Sequence, residues 1–149
     1  MVMKTLFFVS LAMLAGCNAT ESDQSIDREN SHLRWLVRLY VNAGLQGRGP
    51  KNEREFKSAI GGMEASLRDR ALDGAKVQAI DELFISERDG LPYVIFYGKR
   101  PAGVDDGVVA YEQQGVEGVR YVGYALGMVE EADQARFEAL IPAAARSQK

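Results

Sequence analysis

Pro92 to Tyr97 (PYVIFY), Val108 to Glu112 (VVAYE) and Val119 to Leu126 (VRYVGYAL) are the stretches that decide the fold. All three are rich in β-branched and aromatic side chains, which suit a pleated, half-buried surface. The intervening Gly98–Gly107 and Gln113–Gly118 are Gly- and Asp-rich, as turns are. Connections this short predict a three-stranded antiparallel meander.

Outward from the strands, the apolar spacing changes to that of helices. Leu33, Leu36, Val37, Tyr40 and Gly44 recur on one side of Ser31–Gln46, with Arg34, Arg38 and Asn42 opposite. Trp35 and Leu39 widen the apolar side, so this long helix is expected to lie across the sheet. Asn30 or Ser31 caps its start, and Gly47-Arg48-Gly49-Pro50 ends it. A second helix starts near Asn52, with Glu53 and Glu55 where the macrodipole favours negative charge; it buries Phe56, Ala59 and Ile60 and stops at Gly61-Gly62. Met63–Leu72 reads as a further short helix, and Asp81–Gly90 as a loop that buries Leu83 and Phe84. A last helix is expected over Glu130–Leu140, with Phe137, Leu140 and Ile141 inward and Pro142 closing it. The expected class is α+β: a long N-terminal helix and short helices packed on a three-stranded antiparallel meander, with a C-terminal helix. There is no internal repeat.

Before this domain the chain has another character. Met1–Lys4 carries one positive charge, Thr5–Leu14 is a ten-residue uncharged run, and Leu14-Ala15-Gly16-Cys17 brings small residues directly before a cysteine. This order is that of an export signal, with an apolar core too short to span a bilayer. Leu14–Cys17 resembles the bacterial lipobox in all four positions. The resemblance implies cleavage between Gly16 and Cys17, a diacylglyceryl group on the thiol, acylation of the new amino terminus, and thus membrane lipid as a partner. Each buried methylene contributes roughly 0.8 kcal/mol, so several acyl chains hold a domain firmly. The expected organisation is a signal peptide over 1–16, the lipidated Cys17 and a polar tether over 17–30, one domain over 31–142 and a disordered tail over 143–149. Cleavage leaves 133 of the 149 residues, a length that suits one domain. Loss of Lys4 leaves 17 of the 18 basic residues against 21 acidic ones, a net charge of −4, which does not point to nucleic acid. Cys17 is the only cysteine, so no disulfide is expected. Asn18 is not the Asp that retains many such proteins in the inner membrane, which favours the outer membrane or a periplasm-facing location.

The domain also has a resemblance of its own. The first helix, the Gly47–Pro50 break and Asp89-Gly90-Leu91-Pro92-Tyr93-Val94 just before the sheet are similar to the globular part of type II secretion pseudopilins. The same arrangement resembles small lipoproteins of unknown function. The resemblance implies a pilin-like domain shape and, from some members of that family, a calcium loop near the sheet. The chain departs from the pattern in having a lipobox in place of a prepilin site and no Trp in the loop, so a filament subunit is not implied.

Few residues carry chemistry. The only histidine, His32, begins the first helix; without a neighbouring nucleophile or second ligand it reads as a surface or cap residue. A Cys/His zinc site is excluded by count, and Gly61-Gly62 lacks the strand and the Lys-Ser or Lys-Thr of a phosphate loop. Glu87 and Asp89, with Asp105-Asp106-Gly107, would supply a general acid and base, or calcium ligands, if two loops met at one end of the sheet. Asp-Gly pairs also form turns unaided, and that plainer reading is preferred. Tyr93, Ile95 and Tyr97 alternate onto one strand face and Tyr121 and Tyr124 lie in the third strand, so Tyr93, Tyr97 and Tyr121 are the candidates for contact with an envelope protein partner or a glycan; the plainer reading, a sheet half-covered by helices with the rings at its margin, is preferred, because tyrosine is a common strand residue. The expectation is a lipid-anchored cell-envelope protein, not an enzyme, whose domain binds or supports a partner without a cofactor or metal. The alternatives are an envelope hydrolase using loop carboxylates and an accessory lipoprotein of a secretion or pilus-like machine.

Overall fold

A computed structural model of the chain describes residues 28–44 and 49–146. The export signal with Gly16, Cys17 and the tether as far as Asp27 lie outside the described residues, as do 45–48 and 147–149.

Ser31 caps the first helix, α1 (His32–Ala43), its hydroxyl accepting from the Arg34 amide at 3.2 Å. The helix is shorter than its apolar pattern suggested: Gly44 ends it, donating to the Tyr40 and Val41 carbonyls. Arg28–Asn30, expected in the tether, already have helical geometry, held by Ser31 Oγ donating to the Arg28 carbonyl and by an Arg34–Glu29 ion pair at 2.7 Å. Asn52 caps α2 (Glu53–Gly61) through the Glu55 amide at 2.9 Å, while the Glu55 carboxylate accepts from Lys51 N. Next come α3 (Ala65–Ala75) and a 3-10 turn (Ile80–Phe84) that buries Leu83 and Phe84. Phe56 joins these pieces, lying edge to face with Tyr40 at 5.4 Å and with Phe84 at 5.5 Å.

The sheet has four antiparallel strands in chain order, β1 (Val94–Ile95), β2 (Val108–Tyr111), β3 (Arg120–Tyr124) and β4 (Val129–Ala132), not three. The fourth lies in the stretch read as the start of the last helix, because Glu130 and Glu131 look like a helix's acidic first turn. Gly127, at φ 76, instead turns the chain back, and Tyr124 N donates to the Met128 carbonyl. An edge strand bearing two carboxylates also resists pairing with other chains. The helix follows only at α4 (Gln134–Leu140), where Asp133 accepts from Arg136 N at 2.8 Å. Residues 143–146, expected to be disordered, form α5 (Ala143–Arg146) and bury Ala145; Pro142 favours a helix start because its fixed φ suits the first turn.

Each face of the sheet has its own core. Helices α1 to α3 cover the side carrying Tyr93, Ala110, Tyr121 and Val129, and α4 and α5 cover the side carrying Phe96, Tyr111, Val122 and Ala132. A bulge between Val108 and Ala110 lets Val109 and Ala110 both face the first core while Val108 faces the second. The layers meet most closely at Gly123, where an added Cβ would lie 2.6 Å from Val37 Cγ1 and 3.2 Å from Leu33 Cγ.

Gly123→Ala is therefore expected to cost about 1–3 kcal/mol of unfolding free energy by overpacking. Gly61→Ala, where a Cβ meets nothing within 4 Å, should leave stability unchanged or raise it slightly. Urea unfolding of the two variants against the parent measures both.

Candidate functional site

Ser86-Glu87-Arg88-Asp89-Gly90 links the 3-10 turn to β1, and its polar side chains tie the elements around it together. The backbone closes the loop: Ser86 N donates to Leu91 O and Gly90 N to Ser86 O, both at 2.9 Å. Gly90 takes φ 70, a value that a side chain disfavours.

The centre of the cluster is Glu112, the residue after β2. It shares the inward face with Ala110, because alternate residues of a strand point the same way, and it is 0% exposed. Such a carboxylate is costly to bury unless its oxygens are satisfied. Ser86 Oγ donates to Oε1 at 2.8 Å, and Oε2 accepts from Arg88 Nη1 at 2.9 Å and from Tyr121 N at 2.8 Å. The Arg88 guanidinium also lies over the Tyr121 ring, 3.9 Å from its centroid. Burial pushes the Glu112 carboxyl above the usual range, against the pull of the Tyr121 amide, Ser86 and Arg88.

Asp89 clamps the next turn. Oδ1 accepts from Leu91 N at 3.0 Å, and Oδ2 from Gln114 N at 3.1 Å and Gly115 N at 2.9 Å. Burial raises this carboxyl, but the amides of Gly115, Leu91 and Gln114 outweigh it and hold the group below its ordinary value.

Glu87 reaches the head of α1. Its carboxylate accepts from His32 N at 3.1 Å and from the Tyr93 hydroxyl at 3.0 Å, so a residue distant in sequence satisfies one of the helix's free amides. Burial, reinforced by the Glu87 charge, pushes the Tyr93 phenol well above its ordinary range. The His32 ring sits with Nδ1 2.8 Å from the Ile85 carbonyl and 3.6 Å from Glu87. A carbonyl only accepts, so in this contact Nδ1 is the donor. A groove of about 810 Å³ opens beside these groups, with His32, Lys76, Arg88, Glu87, Glu117 and Glu131 among its lining. Both cations and carboxylates line it, a composition suited to a polar ligand with groups of both signs.

The fold thus gathers His32, Glu87, Asp89, Tyr93 and Tyr121 around one cluster. It does not gather the two acidic loops: Glu87 and Asp89 lie by Glu112 at one end of β2, while Asp105, which accepts from Gly107 N at 2.9 Å, precedes the other end. The tyrosines are not an open face. Tyr93 and Tyr121 are buried under the helical layer and Tyr97 is half-buried against the same core, because the apolar side of α1 is wide enough to cover the strands. Among the described residues no three His, Cys, Asp or Glu side chains group as a metal site, and no helix is long and apolar enough to cross a membrane. Sequence reading missed Ser86, Arg88, Lys76 and Glu112. The signal for Glu112 was present in the alternation of VVAYE, which places its carboxylate inward beside Ala110.

Compared with known protein families, with curated proteins and with solved structures, the chain matches none.

Glu112→Ala leaves Arg88 and Ser86 without their acceptor and is expected to cost about 3 kcal/mol, as breaking buried pairs does; the exposed Glu131→Ala should cost little by the same denaturation assay. Asp89→Asn is expected to cost about 1–3 kcal/mol at neutral pH through mispaired amides. The Asp89 carboxyl is held low in the folded state, so its stabilisation is complete above the unfolded value near ~3.9 and is lost as pH falls through the folded one. The stability gap between parent and Asp89→Asn should accordingly narrow in acid, as stability measured at pH 7, 5 and 3 will show.

Proposed function

We propose that this protein is a lipid-anchored component of the bacterial cell envelope, exported by residues 1–16 and held through an acylated Cys17, whose domain is a non-catalytic binding or structural module. The observation that carries the reading is the sequence at the start: one positive charge, a ten-residue uncharged run, and Leu14-Ala15-Gly16 directly before the sole cysteine. Membrane lipid is then the first partner. The outer membrane or a periplasm-facing surface is the favoured location, because Asn18 follows the cysteine.

The arrangement of the domain supports binding over hydrolysis. The carboxylates that a hydrolase would use are engaged as ties: Glu112 accepts from Ser86, Arg88 and the Tyr121 amide, and Asp89 from three backbone amides. The two acidic loops lie at opposite ends of β2, which weighs against a shared acid–base pair. The groove at the head of α1, with side chains of both charges, is the place at which such a module would hold an envelope protein or another polar partner.

Cys17→Ser should move the protein from the membrane to the soluble fraction and abolish incorporation of labelled palmitate. Membrane fractionation and palmitate labelling of parent and variant provide the check. An unlabelled parent chain, or a variant that stays with membranes as the parent does, overturns the reading.

A further inference from the structure

Left-handed backbone geometry costs a residue with a side chain steric energy that glycine avoids. Among the described residues the chain follows that rule at six of eight such positions, Gly90, Gly98, Gly103, Gly115, Gly118 and Gly127. The two exceptions are Lys76, at φ 57, and Glu117, at φ 52. Both are charged, and both line the groove at the head of α1.

Neither turn requires the residue it has. Lys76 follows α3, its amide donating to Asp73 O at 3.0 Å while Val77 N closes on Leu72 O at 2.9 Å, a helix ending in which glycine or asparagine is usual. Glu117 and Gly118 form the tip of the connection from β2 to β3, across which Val116 and Val119 exchange backbone hydrogen bonds at 2.9 Å. A two-residue tip with both residues left-handed favours Asn-Gly or Gly-Gly. The fold does not offset the strain: both residues are exposed, and among the described residues neither side chain is held by an ion pair or a hydrogen bond. Choices that are locally unfavourable collect where a ligand is met.

Other charges of the groove are committed to the fold. Arg88 is tied to Glu112 and lies over Tyr121, and Glu87 accepts from His32 N and the Tyr93 hydroxyl. Lys76 and Glu117 instead present a cation and a carboxylate from two separate elements, with Ala75, Val116 and Val119 beside them in the lining. An ammonium matches a carboxylate group of a ligand, and a carboxylate matches an ammonium, through charge-assisted hydrogen bonds. We propose that the groove binds a short peptide with both ends free, its carboxylate on Lys76 and its ammonium on Glu117. This rests on the reading of the groove as the binding place of the module, and not on lipidation of Cys17. A volume of about 810 Å³ is in the range of small-molecule sites, and charges on two elements suit a ligand whose own charges are separated by a backbone.

Titration of the intact protein in detergent with trialanine, N-acetyl-trialanine, trialanine amide and alanine, followed by amide NMR, tests this. Trialanine is expected to saturate with shifts at His32, Ala75, Val116 and Val119, and each of the other three to bind at least tenfold more weakly. Lys76→Gly should weaken trialanine about tenfold and leave the amide, which lacks the carboxylate, unchanged. Glu117→Gly should do the same to trialanine and leave the N-acetyl peptide unchanged. Lys99→Gln, in the loop before the opposite end of β2, should alter none of them. Both glycine variants should also raise the thermal midpoint by about 2–4 °C, since each relieves strain; a lowered midpoint would show that the side chain serves the fold, and overturns the proposal. No saturable shift in the groove, or equal weakening of all the peptides by either variant, overturns it as well. Blocked peptides binding as tightly as trialanine overturn the pairing of the two ends while leaving the groove a binding place, and alanine binding as tightly overturns the assignment to a peptide.

Discussion

A carboxylate with no contact with water is the constraint around which the rest of the domain is arranged. Glu112 is carried into the interior by the alternation of β2, where an unpaired charge would cost several kcal/mol. Three donors from three places meet it: a hydroxyl and a guanidinium from the Ser86–Gly90 loop, and an amide from β3. The loop therefore has one low-energy position. Once it is set, Glu87 is placed to receive the first amide of α1, and Asp89 to receive the amides of Gln114 and Gly115. Helix, sheet and turn are thus tied to one another by polar contacts, while the two apolar cores supply the bulk of the free energy.

Much of this was legible in the sequence where the pattern was local. The caps at Ser31 and Asn52, the helix over Glu53–Gly61 and the burial of Leu83 and Phe84 follow from spacing and turn chemistry, and they stand where expected. The strands at Val108–Tyr111 and Arg120–Tyr124 were visible in their β-branched and aromatic content. The fourth strand was not, because Val129-Glu130-Glu131-Ala132 has two residues that favour helices and is extended only because β3 lies alongside it. The end of α1 at Gly44 was obscured by an apolar pattern that continues past it.

The site was legible in part, and for a similar reason. His32, Glu87, Asp89 and the tyrosines attracted attention as residue types, but the roles of His32, Glu87 and Asp89 follow in large part from distant partners, such as Glu87 for His32, 55 positions away, and Gly115 for Asp89, 26 away. A single sequence carries no signal of such pairing beyond inward alternation, and that signal was available only for Glu112. The tyrosines show the limit of alternation: it placed Tyr93, Ile95 and Tyr97 on one face, but only the packed helix shows that this face, with Tyr121, is covered rather than offered to a partner.

Under the proposed anchoring, the groove has a defined neighbourhood. Residues 18–27, the ten that separate Cys17 from the first helical turn, span at most roughly 35 Å when fully extended. With the helical turn from Arg28 added, the head of α1, with Asn30 and His32 in the wall of the groove, lies within roughly 45 Å of Cys17. The Glu112 cluster holds α1, the sheet and the turn at Gln114–Gly115 in one arrangement, so the groove at the head of α1 is shaped before anything enters it.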